Sequence, residues 1–242
     1  ADDHGLHARH LGIFLPVISS LTDLRSKEFS TLYKAATKWI LLVNIIPLAL
    51  FLLFPRQILS VVFSPEYSQG YIALIILSIG FFISHLTLSS NSVLLASNKT
   101  KTVFFNNLIA AVINLVLNII LIPKYSIIGA AIATSLSFTI MGILIFIESY
   151  KITRTMPFNF NMLKILVSIT LPVLAISYLV QKYNLNSIAS IILASISLIL
   201  LYILFLLATK SLEKEDYLIL NSIYRKTGIK INFIDDFFKR ME

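Results

Sequence analysis

Hydrophobic and polar positions fall in long blocks along this chain. Six runs contain no Asp, Glu, Lys or Arg: 39–54, 71–97, 103–122, 127–147, 165–180 and 187–209. A helix rises about 1.5 Å per residue and the hydrocarbon core of a bilayer is about 30 Å thick, so runs near 20 residues read as membrane crossings. The runs at 39–54 and 165–180 are short. Each gains length if Lys38 or Lys164 lies along the helix and extends its ammonium to the interface. The pattern predicts an all-α fold, a polytopic membrane helix bundle of six transmembrane helices over residues 39–209.

Shorter stripes flank the spans. Residues 11–21 (LGIFLPVISSL) are apolar but half the length of a crossing, which is expected of the end of a helix that begins upstream. Ser26 is placed to cap a short helix in which Phe29, Leu32, Tyr33 and Ala36 recur at helical spacing, an amphipathic connector completing a segment 11–38. Pro55 suits the first position of a helix whose apolar face is Ile58, Leu59, Val62 and Phe63, expected in the membrane interface. Beyond 210 the apolar pattern breaks. Tyr217, Leu220, Ile223 and Tyr224 form one stripe ending at Gly228, and Ile231, Ile234, Phe237, Phe238 and Met241 form another. Basic residues between them point to amphipathic helices on an anionic membrane surface, so 210–242 reads as a cytoplasmic tail.

Composition supports a lipid solvent. Hydrophobic residues make up 57% of the 242 and charged residues 13%, too little polar surface to cover a water-soluble globule of this length. The net charge of +8 raises the question of nucleic acid. Its basic residues, however, sit in short clusters between apolar runs, the distribution a membrane protein requires, and no nucleic-acid partner is expected. Cysteine is absent, which excludes disulfides and thiolate metal sites. Residues 1–10 (ADDHGLHARH) lack the apolar core of a signal peptide and read as a disordered or non-native tail.

The cations set the predicted orientation, because Lys and Arg are enriched in cytoplasmic loops. Arg25, Lys27, Lys34 and Lys38 precede the first span, Lys99 and Lys101 join the second to the third, and Lys151, Arg154 and Lys164 join the fourth to the fifth. Seven more lie in the tail. The alternate loops hold one each: Arg56, Lys124 and Lys182. Both termini are therefore expected in the cytoplasm, with the spans in the cell membrane.

Residues able to carry chemistry are few at membrane depth, and no cofactor or enzymatic activity is expected. His85 is the one titratable side chain besides tyrosine well inside a run. It is either a neutral imidazole bonded to a neighbouring helix, the simpler reading, or a protonation switch for transport. Ser89 and Ser92 share its face, and Ser84 and Asn91 form an adjacent polar stripe. Asn107, Asn114 and Asn118, spaced by seven and four, fall within about 40° around the third helix. They either tie helices together or line a polar path where amides bond a sugar or phosphate. Pro47 and Pro172 sit mid-span and predict kinks, which serve as hinges or as static packing features. The regular spacing of His4, His7 and His10 admits a metal, but on a polar terminus a disordered tail is the simpler reading and no metal site is expected.

The stretch from Asn114 to Thr134, NLVLNIILIPKYSIIGAAIAT, resembles a signature of the polysaccharide flippases of the multidrug/oligosaccharidyl-lipid/polysaccharide exporter superfamily. In that signature an Asn-bearing helix ends at Ile-Pro, turns outside and re-enters through Gly-Ala-Ala. Pro123 stops one helix, and Gly129, Ala130 and Ala133 let the next pack closely. Leu15, Pro16 and Ser19 resemble the Pro-x-x-Ser end of the family's eighth helix, Pro47 its ninth-helix proline, and Phe63, Pro65, Glu66 and Tyr67 its Phe-Gly-x-Glu-Tyr external loop. Ser64 and Ser126 stand where the family often has glycine, so a turn needing positive φ is strained or rebuilt at those positions.

The resemblance implies that the six spans are the ninth to fourteenth of a fourteen-helix layout, most of its second lobe. It also implies transport of a polyprenyl-linked oligosaccharide to the outer leaflet by alternating access, with a missing amino-terminal lobe and membrane lipids as partners. The last two helices would help form a groove for the polyprenyl tail. The alternatives are a cation-coupled multidrug exporter and a non-transporting membrane subunit that pairs with a separate amino-terminal half.

Overall fold

A computed structural model of the chain describes residues 23–183, 188–209 and 211. His4, His7, His10, the 11–21 segment and the tail stripes lie outside the described residues. Every regular element among the described residues is helical. They are α1 (Lys27–Leu53), α2 (Pro55–Val62), a 3-10 helix (Pro65–Gly70), α3 (Tyr71–His85), α4 (Leu88–Ala96), α5 (Thr100–Thr153), α6 (Asn161–Tyr183) and α7 (Ile188–Ala208).

Local chemistry accounts for several boundaries. Ser26 caps α1, its hydroxyl accepting from the Phe29 amide at 3.1 Å. The connector is not a separate surface helix: α1 continues from it into the first span, and Phe29 and Tyr33 are fully buried against Val93. Two fully buried aromatic rings stabilise that extension more than an interfacial position would. Lys38 is likewise enclosed at 3% exposure, so it does not reach to an interface as Lys164, exposed on α6, can. Pro55 occupies the first turn of α2 as expected. Both α1 and α6 run on as single helices through Pro47 and Pro172.

At 54 residues α5 would be about 80 Å long if straight, more than twice the thickness of a hydrocarbon core. It is a hairpin. Ser126 leaves helical geometry at φ 50° and ψ −129°, and the Asn114 amide reaches Thr134 Oγ1 at 3.3 Å, whereas twenty residues of straight helix would separate them by about 30 Å. A Cβ on Gly129 would overlap the Leu121 carbonyl, which is why the turn between the arms takes glycine there. The arms, 100–125 and 127–153, correspond to the third and fourth predicted spans. Among the described residues five helical stretches are long and apolar enough to cross a bilayer, one of them Pro65–Ala96 with the 3-10 helix, α3 and α4 in line, and α5, folded back, supplies two crossings.

The helices pack as two groups. Leu41, Leu42, Ile45 and Ala49 of α1 form one core with Ile165, Ile169 and Ile176 of α6 and Ala194, Leu198 and Tyr202 of α7. Tyr202 also donates to the Leu42 carbonyl at 3.3 Å. The second group is α3 and α4 laid on the second arm of α5. A Cβ on Gly80 would fall 2.5 Å from Ser135 Cβ, so the helices cross at near backbone contact, and Ser135 Oγ donates to the Ile76 carbonyl at 2.8 Å. Outward faces are apolar, as lipid requires: Phe105, Leu108, Val112, Leu115 and Ile119 line one side of the first arm of α5.

Basic residues mark one end of the bundle (Lys99, Lys101, Lys151, Arg154). The three sparse cations mark the other. There Arg56 lies 4.1 Å over the Tyr71 ring, and Lys182 lies 5.6 and 5.5 Å from the Tyr178 and Tyr183 rings.

Candidate functional site

The run 71–97 reads as one uninterrupted crossing, yet the helix is broken near its middle. α3 ends at His85 and α4 begins at Leu88. Thr87 causes the break: its backbone N–H and its hydroxyl both donate to the Ser84 carbonyl, at 3.1 and 2.7 Å, closing the turn one residue early. Helical bonding resumes when the Asn91 amide reaches the Thr87 carbonyl at 2.9 Å. Irregular backbone at this depth is tolerated only where protein or a polar cavity covers it. Cover comes from the second arm of α5, where a Cβ on Gly142 would lie 3.2 Å from Thr87 Oγ1.

His85 stands at the break, half-buried. Its Nδ1 lies 2.9 Å from Asn44 Oδ1 on α1. Asn44 Nδ2 donates to the Ile40 carbonyl at 2.9 Å, so the amide oxygen is the atom that faces the imidazole. An oxygen acceptor demands a donor, which puts the proton on Nδ1 and leaves the lone pair on Nε2. The Phe81 ring lies 6.1 Å from the imidazole and 5.0 Å from Phe138.

The asparagines divide into two sets. Asn118 Nδ2 donates to Asn114 Oδ1 at 2.9 Å, and Asn114 Nδ2 passes the chain on to Thr134, so these two amides tie the arms of the hairpin. Asn118 Oδ1 is left enclosed without a donor. Asn107 is exposed on the first arm, and Asn91 is partly buried on α4 with Oδ1 lacking a donor. Asn106, which spacing did not single out, is 6% exposed and its Nδ2 lacks an acceptor. A Schellman turn joins α4 to α5: Asn98 is left-handed at φ 55°, and the Lys99 and Asn98 amides reach the Leu94 and Leu95 carbonyls. Asn91 and Asn106, about equally far from that turn, therefore sit at matching depth.

At the basic end a hydroxyl cluster fastens α1 to its neighbours. Tyr33 OH bonds Ser90 Oγ at 2.6 Å and Ser149 Oγ at 3.0 Å, and Thr37 Oγ1 bonds Ser89 Oγ at 2.7 Å. Arg25 Nε donates to the Ile152 carbonyl at 3.1 Å. Sequence spacing put Ser89 on the His85 face but offered no signal for Asn44, Tyr33 or Thr37 as partners. Among the described residues no group of three or more His, Asp and Glu side chains is arranged to hold a metal. What the site can do is hold polar groups, one of them able to bind a proton, in the middle of an apolar bundle.

A family profile described as lipid II flippase MurJ matches residues 10–202. The capsular polysaccharide biosynthesis protein CapF of Staphylococcus aureus is 31% identical over 137 residues, 55% of this chain and 34% of that protein. The probable low-salt glycan biosynthesis flippase Agl15 of Haloferax volcanii is 35% identical over 93 residues, 38% of this chain and 20% of that protein. The uncharacterized membrane protein MJ1068 of Methanocaldococcus jannaschii is 38% identical over 109 residues, 42% of this chain and 20% of that protein. The chain thus spans a fifth to a third of the length of these curated relatives. No solved structure matches it.

Proposed function

Since the chain belongs to the lipid II flippase MurJ family, a family of transporters and not of enzymes, we propose that it forms part of a carrier for a lipid-linked saccharide. The substrate is a polyprenyl-linked oligosaccharide or polysaccharide precursor, moved from the cytoplasmic to the outer leaflet of the cell membrane by alternating access. What carries this reading is a family match that runs through nearly all of the apolar spans, in a chain that folds as one helix bundle. The names of the relatives add capsular polysaccharide and glycan to lipid II, and the chemistry these share is a saccharide on a lipid.

In this reading the basic end of the bundle is cytoplasmic, both termini lie on that side, and an amino-terminal lobe completes the transport path. Asn91 and Asn107 are the amides left to meet a polar substrate, since Asn118 donates to Asn114 and Asn114 to Thr134 across the hairpin. Pro47 and Pro172 are the positions at which α1 and α6 bend during the cycle.

The test is translocation by the full-length protein in vesicles loaded with a fluorescent polyprenyl-pyrophosphate disaccharide, scored by an impermeant quencher. Protein-dependent movement between leaflets supports the proposal, and a rate equal to protein-free vesicles refutes it. Single cysteines at Lys124 and Lys182 should react with an impermeant reagent in intact cells while one at Lys101 is shielded. The opposite pattern would reverse the orientation.

A further inference from the structure

The segment that joins α5 to α6 is irregular but fastened at both ends. At its start Ser149 and Thr153 are buried, Ser149 Oγ is bonded to Tyr33 OH at 3.0 Å, and the Thr155 amide donates to Thr153 Oγ1 at 3.2 Å. At its finish the Met162 and Leu163 amides donate to the Asn159 and Phe160 carbonyls and open α6. Pro157, buried, pins the middle, and the Phe158 ring rests 5.9 Å from Phe146 of α5.

Between these anchors the side chains alternate, as extended backbone requires. Pro157 faces inward, while Met156, Phe158 and Phe160 are 53%, 45% and 79% exposed. Phe160 is the most exposed large apolar side chain among the described residues. Its depth is that of the headgroups. The next apolar run begins at Ile165, so Phe160 stands about 7.5 Å of helix rise beyond the hydrocarbon core, and the headgroup layer adds about 5–7 Å on each side of a bilayer.

The charge around this apolar edge has one sign. Arg154 closes α5 at φ 54° and is exposed, and Lys164 is exposed in the first turn of α6. Lys151, paired with Glu148 at 3.0 Å, lies one turn before Arg154. From 149 to 212 the sequence contains no Asp or Glu. Apolar side chains flanked by cations at headgroup depth match an anionic lipid, which offers hydrocarbon at the acyl boundary and phosphodiester oxygens above it. A zwitterionic lipid brings a cation of its own to the same place. An acidic protein would match the cations, but the edge stands level with the headgroups and lipid is the partner in reach.

We propose that residues 154–160 form a binding surface for anionic phospholipid, with Met156, Phe158 and Phe160 seated at the headgroup–acyl boundary and Arg154 and Lys164 on the phosphodiester groups. Arg154 belongs to α5 and Lys164 to α6, so lipid held there touches both helix groups of the bundle. Lipid binding at this edge stands apart from the transporter reading, since membranes without substrate report it.

The experiment places an environment-sensitive fluorophore on Phe160→Cys in the full-length protein, with any other cysteines replaced, in phosphatidylcholine nanodiscs. Quenching is titrated with headgroup-proximal doxyl phosphatidylglycerol or doxyl phosphatidylcholine. Each cation at an anionic surface is worth about fivefold in affinity, so half-quenching should need about fivefold less of the anionic lipid, or lower still. Arg154→Asn, which tolerates left-handed backbone, combined with Lys164→Gln should abolish that preference while both lipids still quench. The same label on Met156→Cys reads the same edge if Phe160→Cys does not fold. Equal quenching by the two lipids before those substitutions, or a preference that survives them, overturns the anionic site. A label quenched by aqueous iodide and by neither lipid overturns the lipid contact and marks the edge as open to a protein.

Discussion

Ser64 and Ser126 are the two positions at which the family resemblance implies glycine, and the structure predicts that replacing them with glycine has opposite effects. Ser126 is at φ 50° and ψ −129°, a region where a Cβ crowds the adjacent peptide. Holding a non-glycine residue in such a region costs about 1–3 kcal/mol. Ser126 is exposed, so little packing is lost with its side chain. Glycine would add back about 0.5–1 kcal/mol of unfolded-chain entropy, which leaves Ser126→Gly more stable by roughly 1 kcal/mol. Ser64 is at φ −172° and ψ 166°, extended backbone that any residue adopts, so Ser64→Gly should lose about 0.5–1 kcal/mol. Thermal unfolding of the full-length protein in one detergent should separate the two variants, with Tm shifts of about 2–4 °C per kcal/mol and opposite signs. A Tm for Ser126→Gly at or below wild type would show that the hairpin turn carries no backbone strain.

The same assay reaches three other contacts. Gly80→Ala should destabilise by about 1–3 kcal/mol even though alanine is the better helix former, because its Cβ would fall 2.5 Å from Ser135 Cβ; an unchanged Tm would mean that α3 and α5 do not cross there. Asn106→Leu removes an enclosed donor without an acceptor and should stabilise by about 1 kcal/mol or more, whereas Asn114→Leu breaks the bond to Thr134 across the hairpin and the bond from Asn118 and should destabilise; the same sign for both would refute the assignment. Tyr33→Phe strands the hydroxyls of Ser90 and Ser149 and should cost about 1–2 kcal/mol, a loss absent when the substitution is made in a Ser90→Ala, Ser149→Ala background.

Features that depend on the chain near itself were legible in the sequence. Apolar run length located the spans because lipid forces each crossing to satisfy its own backbone. Pro55 and Ser26 marked helix starts, and Pro123 with Gly129 bracketed the turn inside α5, although the helix runs through Pro123 and breaks at Ser126. The interruption at Leu86–Thr87 was not legible, since no glycine or proline stands there and hydropathy runs on unbroken. It arises where the Thr87 hydroxyl and backbone N–H both take the Ser84 carbonyl, three residues back. Partners set by tertiary packing were invisible for the same reason. Asn44 lies 41 residues from His85, and Ser149 lies 116 from Tyr33. Gly80 and Gly142 read as ordinary small residues until the helix that each one admits was in place.

These unreadable contacts fall on one seam. The group α1, α6 and α7 is held by an aliphatic core, and the group α3, α4 and α5 by close helix crossings at glycine. Between them Phe82 and Leu86 supply apolar contact, as do Phe29 and Tyr33 against Val93, and polar ties run beside it: His85 to Asn44 at mid-depth, Tyr33 and Thr37 to the serines of α4 at the basic end. Apolar packing inside a bilayer gains little from leaving lipid, while a hydrogen bond can exchange partners as helices slide. A bundle that must flex will therefore move most readily where its groups are joined by hydroxyls and amides. The interruption in the second span lies against that seam, which places the one imidazole at depth where relative movement of the two groups would change its surroundings most.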